Sequence, residues 1–228
     1  MIKAVIFDVD DTLYSYQEAH KKAFEALLTY ADEELLMSRE DFLKLHRETE
    51  RSLREYMGNV AAMHNRCIRY QTILESRGLP LYPHVLRMYD CYWETLLKAA
   101  VPTEGAGDVM SQLKKRGVRI GIGTDMTARI QFKKLEVLGL LPYIDFLVSS
   151  EEAGAEKPEE AFFARCMEKA GCKRAECLFI GDSLKKDVLG AMDAGLNAVW
   201  YCPDGSGESE QVQKIPHMAQ LPEVVWSL

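Results

Sequence analysis

Five short runs of strand-forming residues, spaced by helix-length segments, constrain the fold of this 228-residue chain more than anything else in it. They are Ala4–Phe7, Val118–Ile122, Phe146–Val148, Cys177–Ile180 and Ala198–Tyr201. Ala4-Val5-Ile6-Phe7 is apolar at every position and stops abruptly at Asp8. A strand without polar alternation is covered on both faces, as in the middle of a parallel sheet. Helical patterns lie between the runs, such as Asp108–Arg116 closed by Gly117 and Arg129–Leu138 closed by Gly139. Glycine after the last periodic residue is the expected helix stop. Strands alternating with such helices predict right-handed βαβ units and an α/β, doubly wound, Rossmann-like parallel sheet.

One stretch breaks the alternation. Between about Gln17 and Ala100 no strand pattern occurs, and four amphipathic helical patterns do: Ala19–Tyr30, Arg39–Tyr56, Val60–Arg77 and His84–Leu97. The expected organisation is therefore a core of residues 1–16 and 101–228, interrupted by an inserted α-helical cap domain of residues 17–100. Pro203–Gln211 reads as a surface loop before a C-terminal tail.

Bulk composition excludes several classes. With 47% hydrophobic and 28% charged residues the chain can bury a sizeable core. Its net charge is −7 and no basic stretch marks a nucleic-acid footprint, so no nucleic acid polymer is expected as a partner. The six cysteines form no C-x-x-C pair and read as reduced thiols. The apolar run at the start is too short for a signal-peptide core or a membrane span, which predicts a cytoplasmic protein.

Four elements carry chemistry. In Asp8-Val9-Asp10-Asp11-Thr12-Leu13 three carboxylates crowd the end of the first strand, where open α/β sheets place their ligand crevices. Such like charges need a cation, a shared proton or hydrogen bonds to coexist. Alternation would point Asp8 and Asp10 the same way, provided the strand runs that far. Turn and capping roles for these residues stay open on this element alone. The strand Ile120–Ile122 leads into Gly123-Thr124-Asp125, whose hydroxyl and amides suit a phosphate oxygen, or else cap the next helix. Lys157 precedes Pro158, which is placed to open a helix. Phe179-Ile180-Gly181-Asp182-Ser183 ends another strand in an acid, with Asp187 following in the first turn of the next helix. Oxygen ligands of this kind suit magnesium, while Asp187 there could simply favour the helix dipole.

In order and position this set resembles the four motifs of the haloacid dehalogenase superfamily: D-x-D-x-T, a strand ending in Ser or Thr, a Lys, and an acidic G-D-S-x-x-x-D. The resemblance covers most of the chain, because one large subgroup carries a helical cap at the position of this insertion. It implies that Asp8 is a nucleophile forming an aspartyl-phosphate and Asp10 a general acid and base. It implies that Thr124 and Lys157 bind the transferring phosphoryl group. Mg2+ would be held by Asp8, the backbone carbonyl of Asp10 and Asp182, with Asp187 in support. Asp10 favours a phosphatase over a dehalogenase, since dehalogenases of the superfamily lack that second Asp. No cap lysine (Lys21, Lys22, Lys44 or Lys98) is marked as the Schiff-base group of a phosphonatase.

The reading is thus a magnesium-dependent phosphatase acting on a small phosphorylated metabolite, a nucleoside monophosphate or a sugar phosphate, as a monomer or weak homodimer. A sugar phosphomutase and a non-catalytic phosphate-binding protein are the alternatives. A signalling receiver domain would be shorter and carry its acceptor on a later strand. His20, His46, His64, His84 and His217 show no metal-ligand spacing. Tyr56, Tyr70, Tyr82, Tyr89, Tyr92 and Trp93 recur at helical spacing and predict core packing.

Overall fold

The computed structural model of the chain describes residues 1–205 and 211–228. Two compact units emerge, one of Met1–Ser15 with Val101–Leu228 and one of Tyr16–Ala100.

The first unit is a six-stranded, wholly parallel sheet in the order β3-β2-β1-β4-β5-β6. Its strands are β1 (Ala4–Phe7), β2 (Arg119–Thr124), β3 (Phe146–Ser149), β4 (Cys177–Gly181), β5 (Asn197–Tyr201) and β6 (Gln213–Ile215). The second unit supplies helices α1 (Tyr16–Leu35), α2 (Arg39–Met57), α3 (Arg66–Ser76) and α4 (His84–Ala99). The sheet unit then adds α5 (Ala106–Lys115), α6 (Ala128–Val137), α7 (Ser150–Ala153), α8 (Glu160–Ala170), α9 (Gly190–Asp193) and α10 (Leu221–Ser227).

The strand order explains the unbroken apolar run of β1. It lies between β2 and β4, so all four of its residues are buried. Ala4 and Ile6 join one apolar cluster with Phe162, Phe163, Cys166 and Phe179. Burying each such Phe stabilises the fold by roughly 1.5–3 kcal/mol. The chain winds outward from β1 to β3 and returns to β4 on the other side. This reversal between β1 and β4 creates a crevice beyond their carboxyl ends, where such sheets bind ligands. Asp8 follows β1 and Asp182 follows β4, so both stand at that point.

Several expectations need correction. β6 and α10 occupy the region read as a tail; three residues with no apolar run, QKI, pair with Val199–Tyr201 because an edge strand is specified by its neighbour. Of the expected loop Pro203–Gln211, residues 206–210 lie outside the described residues. The pattern Val60–Arg77 is not one helix. A 3₁₀ turn spans Ala61–His64, and Asn65 then caps α3 by accepting from the Cys67 N–H. Pro158 does not open a helix: α8 starts at Glu160, and the Lys157–Pro158 peptide is cis. Tyr70, Tyr92 and Trp93 are buried, whereas Tyr56 and Tyr82 point to solvent and are not core. No helix among the described residues is long and apolar enough to cross a membrane.

Candidate active site

Strand β1 ends at Phe7, and the Asp8 N–H still donates to the Ile180 carbonyl at 2.9 Å, which keeps Asp8 in register beside β4. Beyond it the chain turns. Asp11 takes a left-handed φ of 58°, and the Thr12 and Leu13 N–H groups fold back onto the Val9 carbonyl. The alternation assumed for Asp8 and Asp10 therefore does not hold as strand geometry. The turn nevertheless leaves both facing one depression of about 210 Å³. Thr124, Asp125, Lys157, Asp182, Ser183, Lys186 and Asp187 line it as well. All six residues singled out in the sequence thus come together.

Lys157 is the hub. It is 3% exposed, yet its Nζ reaches Asp8 Oδ1 and Asp187 Oδ1, each at 2.7 Å. Burial pulls its pKa down, but Asp187, Asp8 and Asp125 outweigh that and hold it well above the usual lysine value. Asp125 also ties down the backbone, accepting from the Lys157 N–H at 2.9 Å and from Lys186 Nζ at 2.9 Å. A proline-led helix is therefore not what positions this lysine.

Asp187 belongs to a π-helical segment, Leu184–Leu189, rather than an ordinary first turn. The wider turn carries its side chain inward, where it is 1% exposed and accepts from the Ser183 N–H at 2.9 Å. The contact with the N-cap Ser183 N–H is a helix N-terminus interaction, and the other carboxylate oxygen faces Lys157. Gly181 makes the approach possible: a Cβ there would lie 2.3 Å from Asp187 Oδ2.

Asp8, Asp182 and Asp187 bring one oxygen each within 4.8 Å of one another. At an effective dielectric near 20, each ionised pair at that distance repels by roughly 3 kcal/mol. A single lysine offsets only one of three charges. Burial, despite Lys157, and then the Asp187 and Asp182 charges push the Asp8 carboxyl well above its ordinary value. Asp182 is pushed up to about 7, by burial first and then by Asp187 and Asp11. Three hard oxygen donors left with surplus negative charge fit a divalent cation such as Mg2+. The Asp182 backbone is fixed by Trp200, whose Nε1–H donates to its carbonyl at 2.7 Å.

A second cluster surrounds Asp10, and sequence reasoning missed it. Lys134 Nζ donates to both Asp10 oxygens at 2.6 and 2.8 Å, Tyr14 Oη to Oδ1 at 2.5 Å, and Gln131 Nε2 to Oδ2 at 3.2 Å. Burial favours the neutral acid, but the Lys134 charge and these hydrogen bonds win and hold the Asp10 carboxyl below its usual range. Gln131 Nε2 also donates to Thr124 Oγ1 at 2.8 Å. Thr124 does not cap α6; Thr127 occupies that position. One signal was readable. Gln131 and Lys134 share the buried face of α6 with Ile130 and Leu135, and polar residues at core-face positions ask for partners.

Comparison with known proteins agrees with this geometry. The sequence profile described as haloacid dehalogenase-like hydrolase matches residues 2–195. The ribulose-1,5-bisphosphate 5-phosphatase of Halopiger xanaduensis is 32% identical over 92% of this chain and 89% of its own length. The glyceraldehyde 3-phosphate phosphatase of Methanopyrus kandleri is 34% identical, over 87% of this chain and 83% of its own. Among solved structures, a 2-haloacid dehalogenase from Pseudomonas syringae pv. Tomato superposes with a TM-score of 0.80 at 25% identity, covering 100% and 99% of the two chains. With its strand order, its acids at the switch point and a profile match spanning most of its length, the chain belongs to the haloacid dehalogenase-like hydrolase family.

Proposed function

We propose that this hydrolase removes phosphate from a small phosphomonoester, a sugar phosphate first among the candidates, through an aspartyl-phosphate on Asp8. The observation that carries the reading is the Asp8 carboxylate held at 2.7 Å by a buried Lys157 among acids that suit a divalent cation. The sugar-phosphate preference rests on the activities named for the Halopiger and Methanopyrus relatives.

In the first step an Asp8 oxygen attacks phosphorus, the ester P–O bond breaks, and the leaving oxygen takes a proton from Asp10. In the second, Asp10 accepts a proton from water as that water attacks phosphorus. Inorganic phosphate leaves and Asp8 is restored. The contacts from Lys134, Tyr14 and Gln131 stabilise ionised Asp10, the form the second step requires. The negative phosphoryl group of a bound substrate favours proton uptake for the first. Lys157 and the Thr124 hydroxyl face the same depression and are suited to hold phosphoryl oxygens. Mg2+ bound by Asp8, Asp182 and the Asp10 carbonyl would neutralise charge on the transferring group. Asp187, which meets Lys157 and the Ser183 N–H, would support that site.

Asp10 also argues against carbon–halogen cleavage, which produces no leaving alkoxide for it to protonate. The six free cysteines and the absence of a membrane-crossing helix among the described residues support a cytoplasmic workplace. A monomer or weak homodimer is the expected assembly.

Phosphate release from sugar phosphates, nucleoside monophosphates and phospho-acids, with magnesium and with EDTA, tests the reading. Metal-dependent release from at least one class is expected. A folded, magnesium-loaded protein that releases phosphate from none of them, para-nitrophenyl phosphate included, would overturn it.

A further inference from the structure

The helical unit contains a cluster of cationic and polar groups that its own packing leaves unfinished. Arg66, Arg69 and Tyr70 fall on one face of α3, three and four residues apart. Arg66 is 7% exposed and Arg69 is 9% exposed. Arg66 Nη2 donates to Tyr92 Oη at 2.6 Å and Tyr16 Oη at 3.0 Å, and its guanidinium carbon lies 3.6 Å from the centre of the Tyr92 ring. Those contacts use both Nη2 hydrogens and one face of the guanidinium. Its Nε has no hydrogen-bond partner, nor do Arg69 Nε and His46 Nε2 beside it, and Tyr70 Oη meets the Arg66 guanidinium alone.

Buried polar atoms without partners are few in folded proteins, and three on three neighbouring residues are costly unless something completes them. Charge tells the same story. Glu50, 3.4 Å from Arg69, forms the cluster's ion pair with a carboxylate, and Arg66 has no ion pair among the described residues. Aromatic faces stabilise a cation by roughly 1–2 kcal/mol, short of the several kcal/mol that a buried ion loses on leaving water. The surplus positive charge is felt locally. Burial and then Arg66 lower His20 to about 4, and burial followed by Arg69 and Arg66 lowers His46 to about 3.

We propose that residues 16–100 carry an anion site centred on Arg66, completed by Arg69 and Tyr70, which takes a compact oxyanion such as a phosphate or carboxylate group. The unpartnered N–H groups of Arg66 and Arg69 can each donate to one oxygen of such an anion, and the ion supplies the charge that Glu50 alone does not. The chemistry is that of a free anion acting as an effector. Anion binding by the cluster does not rest on the phosphatase reading above.

The test combines anion binding with kinetics on wild type, Arg66→Met, Arg66→Lys and Tyr70→Phe. Sulfate is titrated against thermal midpoint and heat of binding in EDTA. Kinetics compare a sugar bisphosphate, phosphoglycolate and para-nitrophenyl phosphate. Wild type is expected to show a saturable sulfate response that Arg66→Met loses, and that Arg66→Lys and Tyr70→Phe weaken. A sulfate effect on the rate that raising substrate does not relieve is expected on all three substrates in wild type and not in Arg66→Met. Equal sulfate responses in wild type and folded Arg66→Met or Arg66→Lys would overturn the proposal. Failure of the phosphatase reading is distinct: no substrate turns over, while sulfate binding still reports on Arg66.

Discussion

The ammonium of Lys134 bonds both carboxylate oxygens of Asp10, at 2.6 and 2.8 Å, from a helix position with no solvent exposure. Replacing Lys134 with Met leaves Asp10 without its cation. Removing one partner of a buried pair costs about 3–5 kcal/mol, and the 26% exposure of Asp10 places this case near the low end, about 3 kcal/mol. Because the folded-state pKa of Asp10 is depressed, this stabilisation is present above its unfolded value and is lost as pH falls through the folded one. Urea unfolding at pH 7 and pH 3 should show the Lys134→Met penalty shrinking in acid. The acid limb of its pH–rate profile should also move to higher pH, because Asp10 then holds its proton more tightly. A penalty of the same size at both pH values would separate Lys134 from Asp10.

Asp8→Asn is expected to lower turnover by about 10⁴-fold or more, as loss of an attacking group does. It also removes one of three crowded carboxylates, so the metal-free protein at pH 8 should melt no lower than wild type. Phosphate-release assays and thermal melts in EDTA check both halves. Retained turnover in the purified variant would falsify the nucleophile assignment.

Asp182, pushed up to about 7, makes the metal-free protein sensitive to pH. A carboxyl with a raised folded-state pKa binds more protons folded than unfolded, so its contribution to stability falls as pH rises from about 4 to about 7. Thermal midpoints in EDTA should decline over that window, and magnesium should restore the loss above it. Magnesium binding at pH 6–7 should release protons into weakly buffered solution, and Asp182→Asn should release fewer. Proton release identical in the two proteins would count against Asp182 as a ligand.

Gly181→Ala tests whether the approach of Asp187 to Lys157 matters. The added methyl would stand 2.3 Å from Asp187 Oδ2, inside any allowed contact, so the carboxylate must move. Misplacement by about 1 Å near a reacting group can cost on the order of 100-fold in rate. A drop of about 10–100-fold with an unchanged circular dichroism spectrum is the expected result. Wild-type kcat in this variant would show that Asp187 contributes nothing through its position.

Sequence patterns located β1 residue for residue, and β2 to β5 within one or two. These strands are buried on both faces and so written in apolar residues. β6 escaped because an edge strand needs little apolar character when β5 supplies its hydrogen bonds. The break at Asn65 escaped because a side-chain cap needs only one residue.

The chain's own order of residues determined the alternation of strands and helices, the helical insertion, and the placement of Asp8, Thr124 and Asp182 at or just beyond strand ends. These are local properties, set by periodicity and by where apolar runs stop. Tertiary structure decided which strands are neighbours, and hence that Asp8 and Asp182 flank one switch point. It also decided that Lys134 serves Asp10 and that Lys157 is shared between Asp8 and Asp187, and it left Arg66 short of partners. Spacing could not disclose those pairings: Lys157 and Asp8 lie 149 positions apart, and only packing sets the distance and the dielectric between such groups.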